Sequence, residues 1–475
     1  MPTENTSKLA SGLIWGFGAV LLLLLHFTNL YAIPGLHFDE AWAMNHSIRI
    51  LQGDWTLQGM SPYTAPWTHY VAAAFQSIFG IGLWQFRSSQ VLLAITGIGF
   101  LQYCLWKKEH PAWPYFFFVV ALCPGLVFNH RFTVELNGFH VFSMGLFFFA
   151  LTKRWWWLAA VAVFLGTTAH ILFYGLVLAI LFASLWEKRE FTFAEKFAGT
   201  LTFFALALFF WKVSQEIPEK EKAYALLASA VIGLLLFWLP FHRWNWQKPW
   251  MESVAWLGAA VFLVNAFFFL EGFWQLSITT GKEAWKAGRI LSLSTFILFS
   301  IVLFFHGRLT FSRFWRRAFL LGVICMGAMM LKQTPRYHEL ILLSLAIFLS
   351  GAIGSYRELT RFACIAFLAL HGALIYAEYF TLNPKERDLR FLSFKDSSRD
   401  FLSKQELVSV LGSSGCRLSD IKTGDSRVGE ALLSLSHRDW SVSEQKCPWQ
   451  FVERKMESFR AGSKTEIADF VLWEK

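Results

Sequence analysis

Residues 9–42 read LASGLIWGFGAVLLLLLHFTNLYAIPGLHFDEAW. The apolar run from about Leu9 to Ile33 is long enough to cross the hydrocarbon core of a bilayer, which takes about 20 helical residues. It is too long for the core of a signal peptide, and no small-residue cleavage site follows. It therefore reads as a first membrane span, with Lys8 on the inner side. Immediately beyond it lies the acidic pair Asp39-Glu40, at the start of a mixed, aromatic segment covering 34–82.

The same pattern continues along the chain. Of 475 residues, 55% are hydrophobic and only 16% are charged, where a soluble protein carries about a quarter. Apolar runs suited to spans recur near 84–106, 113–128 and 134–151. The run 155–186 is too long for one span and divides into two about a turn at Gly166–His170. Further runs lie near 197–214, 223–241, 251–274, 290–306, 317–332, 339–355 and 363–380. Between the first two spans, His37–Leu51 and Trp67–Phe79 have the periodicity of amphipathic helices lying at the interface.

The charge pattern orients these spans. Lys107, Lys108, Lys153, Arg154, Lys188, Arg189, Lys196, Arg243, Lys248, Arg308, Arg313, Arg316, Arg317, Arg357 and Arg361 fall on one side, which the positive-inside rule makes cytoplasmic. The net charge of +10 is thus a topology signal. No basic stripe interleaved with aromatics argues for nucleic acid. The expected fold class is an all-α polytopic membrane protein of about thirteen transmembrane helices, covering 1–380, with a first extracytoplasmic loop at 34–82. An odd count places the N-terminus in the cytoplasm and the polar segment 381–475 outside, in the periplasm if the cell is bacterial.

That segment reads as a small extracytoplasmic α/β domain. Helical periodicity covers Asp400–Leu411 and Ser426–Ser436, and strand-like composition covers Phe451–Met456 and Phe470–Trp473. Cys416 and Cys447 lie in it. They form either a disulfide, if the segment is extracytoplasmic, or two free thiols, since pairing cannot be read from sequence.

Polar residues gather at the expected outer ends. Carboxylates beside apolar spans are costly and usually face a cavity or a partner. Asp39-Glu40, at a helix start, has two readings. One is a cap stabilised by the N-terminal amides. The other is a general base or a metal ligand at the membrane surface. Adjacent helical residues cannot both face one point, so one acts and the other positions. Arg131, with Asn129 and His130 before it and Glu135 and Asn137 after it, is either an interfacial arginine paired with Glu135 or a phosphate clamp. Lys332 and Arg336, next to Tyr337, run against the positive-inside bias. They suit either ordinary headgroups or a specific lipid phosphate. His170 reads as packing or as a ligand, and Arg87 as a snorkelling or a functional residue.

In order, the chain shows His37-Phe38-Asp39-Glu40-Ala41, Gly53-Asp54-Trp55, Ser61-Pro62-Tyr63-Thr64-Ala65-Pro66, Phe79-Gly80 and Phe86-Arg87-Ser88-Ser89. Asn129-His130-Arg131, Ala169-His170 and Pro335-Arg336-Tyr337 follow. This series resembles the GT-C superfamily of polyprenyl-phosphate-sugar-dependent glycosyltransferases. It is close to bacterial relatives of protein O-mannosyltransferases and of lipid A aminoarabinose transferase. The likeness covers about the first 190 residues and the region 330–355. It implies sugar transfer from a polyprenyl-phosphate donor to a lipid, glycan or protein acceptor, with inversion. Asp39 would be the catalytic base, with Glu40 supporting it. Arg131, Lys332, Arg336 and Tyr337 would hold the donor phosphate. Further substrate contacts would fall to His130, Glu135, His170, Arg87 and Tyr63. Some relatives use a divalent cation (Mg, Mn or Zn), which Asp39 and Glu40 would bind. A transporter or flippase for a lipid-linked or anionic substrate is the alternative. It predicts paired charges within the spans, whose interiors are mostly clean here. A non-catalytic envelope-assembly subunit would need no ordered acidic and basic set.

Overall fold

The structure is a computed structural model of the chain. It describes residues 4–30, 38–55, 66–131, 137–187, 189–216, 220–238, 306, 308–329 and 339–381, and short stretches at 422–423, 449–453, 464–467 and 470–474. The expected spans 251–274 and 290–306, the helices 400–411 and 426–436, and Cys416 and Cys447 lie outside the described residues, apart from His306.

The described helices are α1 (Glu4–Phe27), α2 (Phe38–Leu51), α3 (Trp67–Phe79), α4 (Leu83–Lys107), α5 (Phe116–Ala121), α6 (Pro124–Arg131) and α7 (Asn137–Lys153). They continue with α8 (Trp156–Ala169), α9 (Leu172–Trp186), α10 (Phe193–Glu216), α11 (Lys220–Leu236), α12 (Arg313–Met329), α13 (Glu339–Ser355) and α14 (Glu358–Thr381). α2 and α3 fall on the two amphipathic stretches read from the sequence. Gly53 and Gly80, which follow them, have φ of 93° and 87°. That left-handed backbone favours glycine, which has no Cβ to clash.

One expectation is corrected. The run near 113–128 is not one helix but α5 and α6, broken at Leu122-Cys123. Pro124 opens α6 where its missing N–H costs nothing, and it disfavours helical backbone in Cys123 before it. The turn expected at Gly166–His170 in 155–186 falls at His170. His170 is extended (φ −158°, ψ 138°), and its Nδ1 accepts the Leu172 N–H at 3.3 Å.

Among the described residues three helical stretches are long and apolar enough to cross a membrane, namely Leu9–Phe27, Leu83–Lys107 and Phe193–Gln215. Other apolar helices, such as α7, α8, α9, α11 and α13, are shorter. Many large apolar side chains face outward, including Leu9, Phe17, Leu24, Phe193, Phe204 and Trp211. Water would not tolerate a surface of that kind on helices of this composition. With these helices the chain is an integral membrane protein.

α4 and α7 cross closely. A Cβ at Gly97 would overlap the Val141 carbonyl, one at Gly145 the Gly97 carbonyl, and one at Gly138 the Gln90 carbonyl. Small residues bring helix backbones together where no hydrophobic effect drives association. One apolar cluster then joins α1, α4, α5, α6 and α13 through Leu22, Ile98, Phe116, Phe128 and Leu343. A second joins α7 to α11 through Phe147, Tyr174, Phe203 and Phe210. Near the C-terminus, β1 (Lys422–Thr423), β2 (Trp449–Glu453), β3 (Lys464–Ile467) and β4 (Phe470–Glu474) form a sheet of order β1-β2-β4-β3. β1 pairs parallel with β2, and the other pairs are antiparallel. The composition pointed to β2 and β4 within two or three residues and missed the two short strands.

Candidate active site

The site grows from the end of α1. The last carbonyls of a helix lack intrahelical donors, and cations are favoured there. Two arginines take that role. Arg131, at the end of α6, donates from Nη1 to the Leu25 carbonyl (2.5 Å) and from Nη2 to the Thr28 carbonyl (2.6 Å). Arg87, in the second turn of α4, donates from Nη1 to the Leu30 carbonyl at 2.9 Å. Both guanidiniums are fully buried.

Arg87 also grips α2. Its Nε donates to Glu40 Oε1 at 2.8 Å and its Nη2 to Glu40 Oε2 at 2.6 Å. Neither side chain is exposed. A bidentate fork of this kind fixes both position and plane. It sets the first turn of α2, which carries Asp39, against the end of α1 and the start of α4.

α2 and α3 are then locked to each other. Ser47 Oγ donates to Gln76 Oε1 at 2.7 Å, and His69 Nδ1 donates to the Ala43 carbonyl at 3.1 Å. The His46 and His69 rings stand 5.4 Å apart. Burial, with the nearby Arg49 charge, lowers His46 to about 4. Burial, with His46 beside it, lowers His69 to about 3. Both are neutral rings at physiological pH. Asp54 pairs with Arg49, its Oδ2 accepting from Nε at 2.9 Å. Trp67 Nε1 donates to Thr168 Oγ1 at 2.9 Å, joining α3 to the end of α8. One residue past α8, His170 meets His140 of α7 edge to face at 5.4 Å.

A third connection reaches α13. His26 of α1 holds its Nδ1 2.7 Å from the Leu22 carbonyl. Its Nε2 lies 2.9 Å from His130 Nδ1, and His130 Nε2 lies 2.6 Å from Glu339 Oε1.

The expected site residues fare differently. Glu40 and Arg87 are brought together in one ion pair. Both Glu40 oxygens accept from Arg87. Arg87 does not snorkel. Arg131 caps α1 with both Nη groups, a role read neither as a phosphate clamp nor as a pair with Glu135. His130 is buried in the chain to Glu339, and His170 sits at the α8–α9 turn against His140. The side chain of Asp39, and Tyr63, Glu135, Lys332, Arg336 and Tyr337, lie outside the described residues. His26 and His140 were not singled out from the sequence. A histidine inside an otherwise apolar span is the signal that would have found them.

A cation does not fit Glu40, because Arg87 occupies both of its oxygens. Among the described residues no three His, Cys, Asp or Glu side chains group as metal ligands. An apolar cavity of about 390 Å³ lies between α4, α7, α9, α12 and α13. Its polar rim, with Lys108 and His110, is at the far end of α4 from Arg87.

No family model matches the sequence, and no curated protein matches it. Solved structures do. The oligosaccharyltransferase of Archaeoglobus fulgidus, in complex with Zn and sulfate, aligns with a TM-score of 0.53 at 12% identity, over 94% of this chain and 68% of that one. AglB of the same organism, in complex with an inhibitory peptide and a dolichol-phosphate, aligns with a TM-score of 0.51 at 12% identity, over 95% and 70%. ArnT of Cupriavidus metallidurans in the apo state aligns with a TM-score of 0.48 at 15% identity, over 90% and 75%. At these identities the likeness is one of fold. The chain has the fold of these Archaeoglobus fulgidus oligosaccharyltransferase structures.

Proposed function

We propose that this protein is an integral membrane glycosyltransferase. It moves a sugar from a polyprenyl-phosphate donor to a lipid, glycan or protein acceptor on the extracytoplasmic face. The observation that carries the reading is the buried Glu40–Arg87 fork beside Asp39, tied to the end of α1, in a chain with this fold. A catalytic group works only where its neighbours hold it in place, and Glu40 supplies such a hold in the residue next to Asp39.

In this reading Asp39 takes the proton of the acceptor hydroxyl. The acceptor oxygen attacks the anomeric carbon, the bond from that carbon to the phosphate oxygen breaks, and configuration inverts. Negative charge grows on the departing lipid phosphate, and cationic groups placed there favour the transition state. Lys332 and Arg336, with Tyr337, are the proposed phosphate partners. The AglB relative was solved with a dolichol-phosphate, a donor-like lipid of the class proposed. Another relative was solved with Zn, but the Glu40 oxygens are taken, so no step is routed through a cation.

The topology proposed is a cytoplasmic N-terminus, about thirteen spans and an extracytoplasmic C-terminal domain. The transporter alternative is weaker. Glu40, His130, Arg131 and Glu339 sit in end turns of their helices and Arg87 in the second turn of α4, as surface chemistry requires, and not midway along them.

The test is complementation. Cells lacking the gene should lose a sugar from an envelope lipid, glycan or protein, read by mass spectrometry. The wild-type gene should restore it. Asp39→Asn, made at normal level and folded, should not. Full restoration by that variant would sink the assignment of Asp39.

A further inference from the structure

Two cavities meet at Lys108, the exposed residue that caps the end of α4. The first, of about 390 Å³, is the apolar one between α4, α7, α9, α12 and α13. The second, of about 370 Å³, lies between α7, α8, α9 and α10. Phe148, Thr152, Ile180 and Trp315 line both, so one wall divides them. The Phe148 and Trp315 rings pack edge to face within it, 5.2 Å apart. Met144 and Thr152 of α7 both line the first cavity, which makes it about 12 Å deep by helical rise. Arg87 stands near the other end of α4, about 30 Å from Lys108 along the axis. That is the thickness of the hydrocarbon core, so the cavities belong to the membrane face opposite the Glu40–Arg87 pair.

The walls suit hydrocarbon. Thr152, Ser184, Thr202 and Ser344 line them, and each hydroxyl gives its proton to a carbonyl of its own helix. The acceptors are Phe148 at 2.9 Å, and Ile180, Ala198 and Leu340 at 2.8 Å each. A trapped water needs about two to four polar partners, and these walls have no donor left for one. An apolar wall facing a void forgoes its dispersion contacts. Inside a bilayer the material at hand to restore them is a lipid chain.

Charge selects the lipid. Glu195 is held by Arg189, and Glu187, at the end of α9, is held by Arg317 at 2.5 Å. Glu109, next to Lys108, lines neither cavity. No carboxylate pairs with Lys108 among the described residues, and its ammonium faces both cavities, the second of which Arg189 also lines. Basic pockets between membrane helices bind anionic lipid headgroups.

We infer that the two cavities hold the chains of one two-chain anionic phospholipid whose phosphate sits on Lys108. One chain lies on each side of the Phe148–Trp315 wall. The lipid thereby ties α8 and α10 to α12 and α13 across α7 and α9. This site rests on the chain being a membrane protein and not on the transferase reading.

The test uses the full-length protein, stripped of lipid in detergent, with phosphatidylglycerol as probe and phosphatidylcholine as control. Native mass spectrometry should show one phosphatidylglycerol retained per protein, and that lipid should raise the melting temperature more than phosphatidylcholine does. Equal effects of the two would overturn the headgroup assignment. Retention of neither would overturn the site. Lys108→Glu, at an exposed position, should weaken phosphatidylglycerol binding about ten-fold and leave phosphatidylcholine unaffected. Unchanged phosphatidylglycerol affinity would overturn Lys108 as the anchor.

Ser344→Phe fills the first cavity and Ala160→Phe the second. Each should weaken phosphatidylglycerol binding. Unchanged binding in both would overturn the placement of the chains, and weakening in only one would overturn the two-chain form. Where a filled variant does not fold, the wild type decides: lysophosphatidylglycerol, with one chain, should bind more weakly than phosphatidylglycerol, and equal affinity would overturn the two-chain form. Undecaprenyl phosphate should not displace phosphatidylglycerol. Displacement would overturn a lipid site separate from that of the donor.

Discussion

Arg87 and Glu40 meet in a fully buried two-pronged ion pair, with N–O distances of 2.8 and 2.6 Å, although 46 residues separate them in the chain. Removing one partner strands a charge away from water. Glu40→Ala or Arg87→Ala should each destabilise the protein by roughly 3–5 kcal/mol, the usual loss for a broken buried pair. The double change Glu40→Leu with Arg87→Met should cost less than either single change. Denaturation in detergent, analysed as a double-mutant cycle, measures this.

The two adjacent acids should separate by phenotype. Asp39→Asn is expected to abolish transfer and leave the melting temperature near wild type. Glu40→Gln keeps the size of the side chain but loses the charge that Arg87 needs, so it should lower melting and transfer together. Paired melting curves and envelope mass spectrometry on the two variants decide the point.

Arg131 satisfies the carbonyls of Leu25, in the last turn of α1, and of Thr28 just past it. Arg131→Ala should cost about 1.5–3 kcal/mol for each charged hydrogen bond lost. Arg131→Lys should recover only part, since a lysine cannot present two parallel donors. Faster amide exchange at the end of α1 in Arg131→Ala is the direct readout.

Acid should loosen the α2–α3 pair. Burial lowers His46 to about 4 and His69 to about 3 in the folded protein, against about 6.5 when unfolded. Between those values the unfolded chain binds more protons, so stability is full above about 6.5 and falls as pH drops through the window. Amide exchange in α2 and α3 should quicken between pH 7 and 5. His69→Gln should flatten that dependence.

The α4–α7 crossing has no room for a side chain at Gly97, whose Cβ would overlap the Val141 carbonyl, whereas Gly99 has nothing within 4 Å. Gly97→Val should abolish recovery of folded protein, and Gly99→Ala should be tolerated. Yield of monodisperse protein in detergent checks both.

Much of this protein was legible in its residues. Apolar runs gave α1, α4 and α10 because a membrane span is a local property of about 20 residues. Amphipathic period gave α2 and α3, and the ordered acidic, glycine and arginine series pointed to the fold. The break at Cys123-Pro124 carried a local signal too, and span counting overrode it. What tertiary structure alone decided was the partner of each charge. Hydropathy gives no hint that Glu40 faces Arg87, that Arg131 turns back on the end of α1, or that His26 meets His130. Those pairings join helices far apart in sequence. In a low-dielectric interior each buried polar group must find a donor or acceptor, and only the packed bundle determines which one lies within reach.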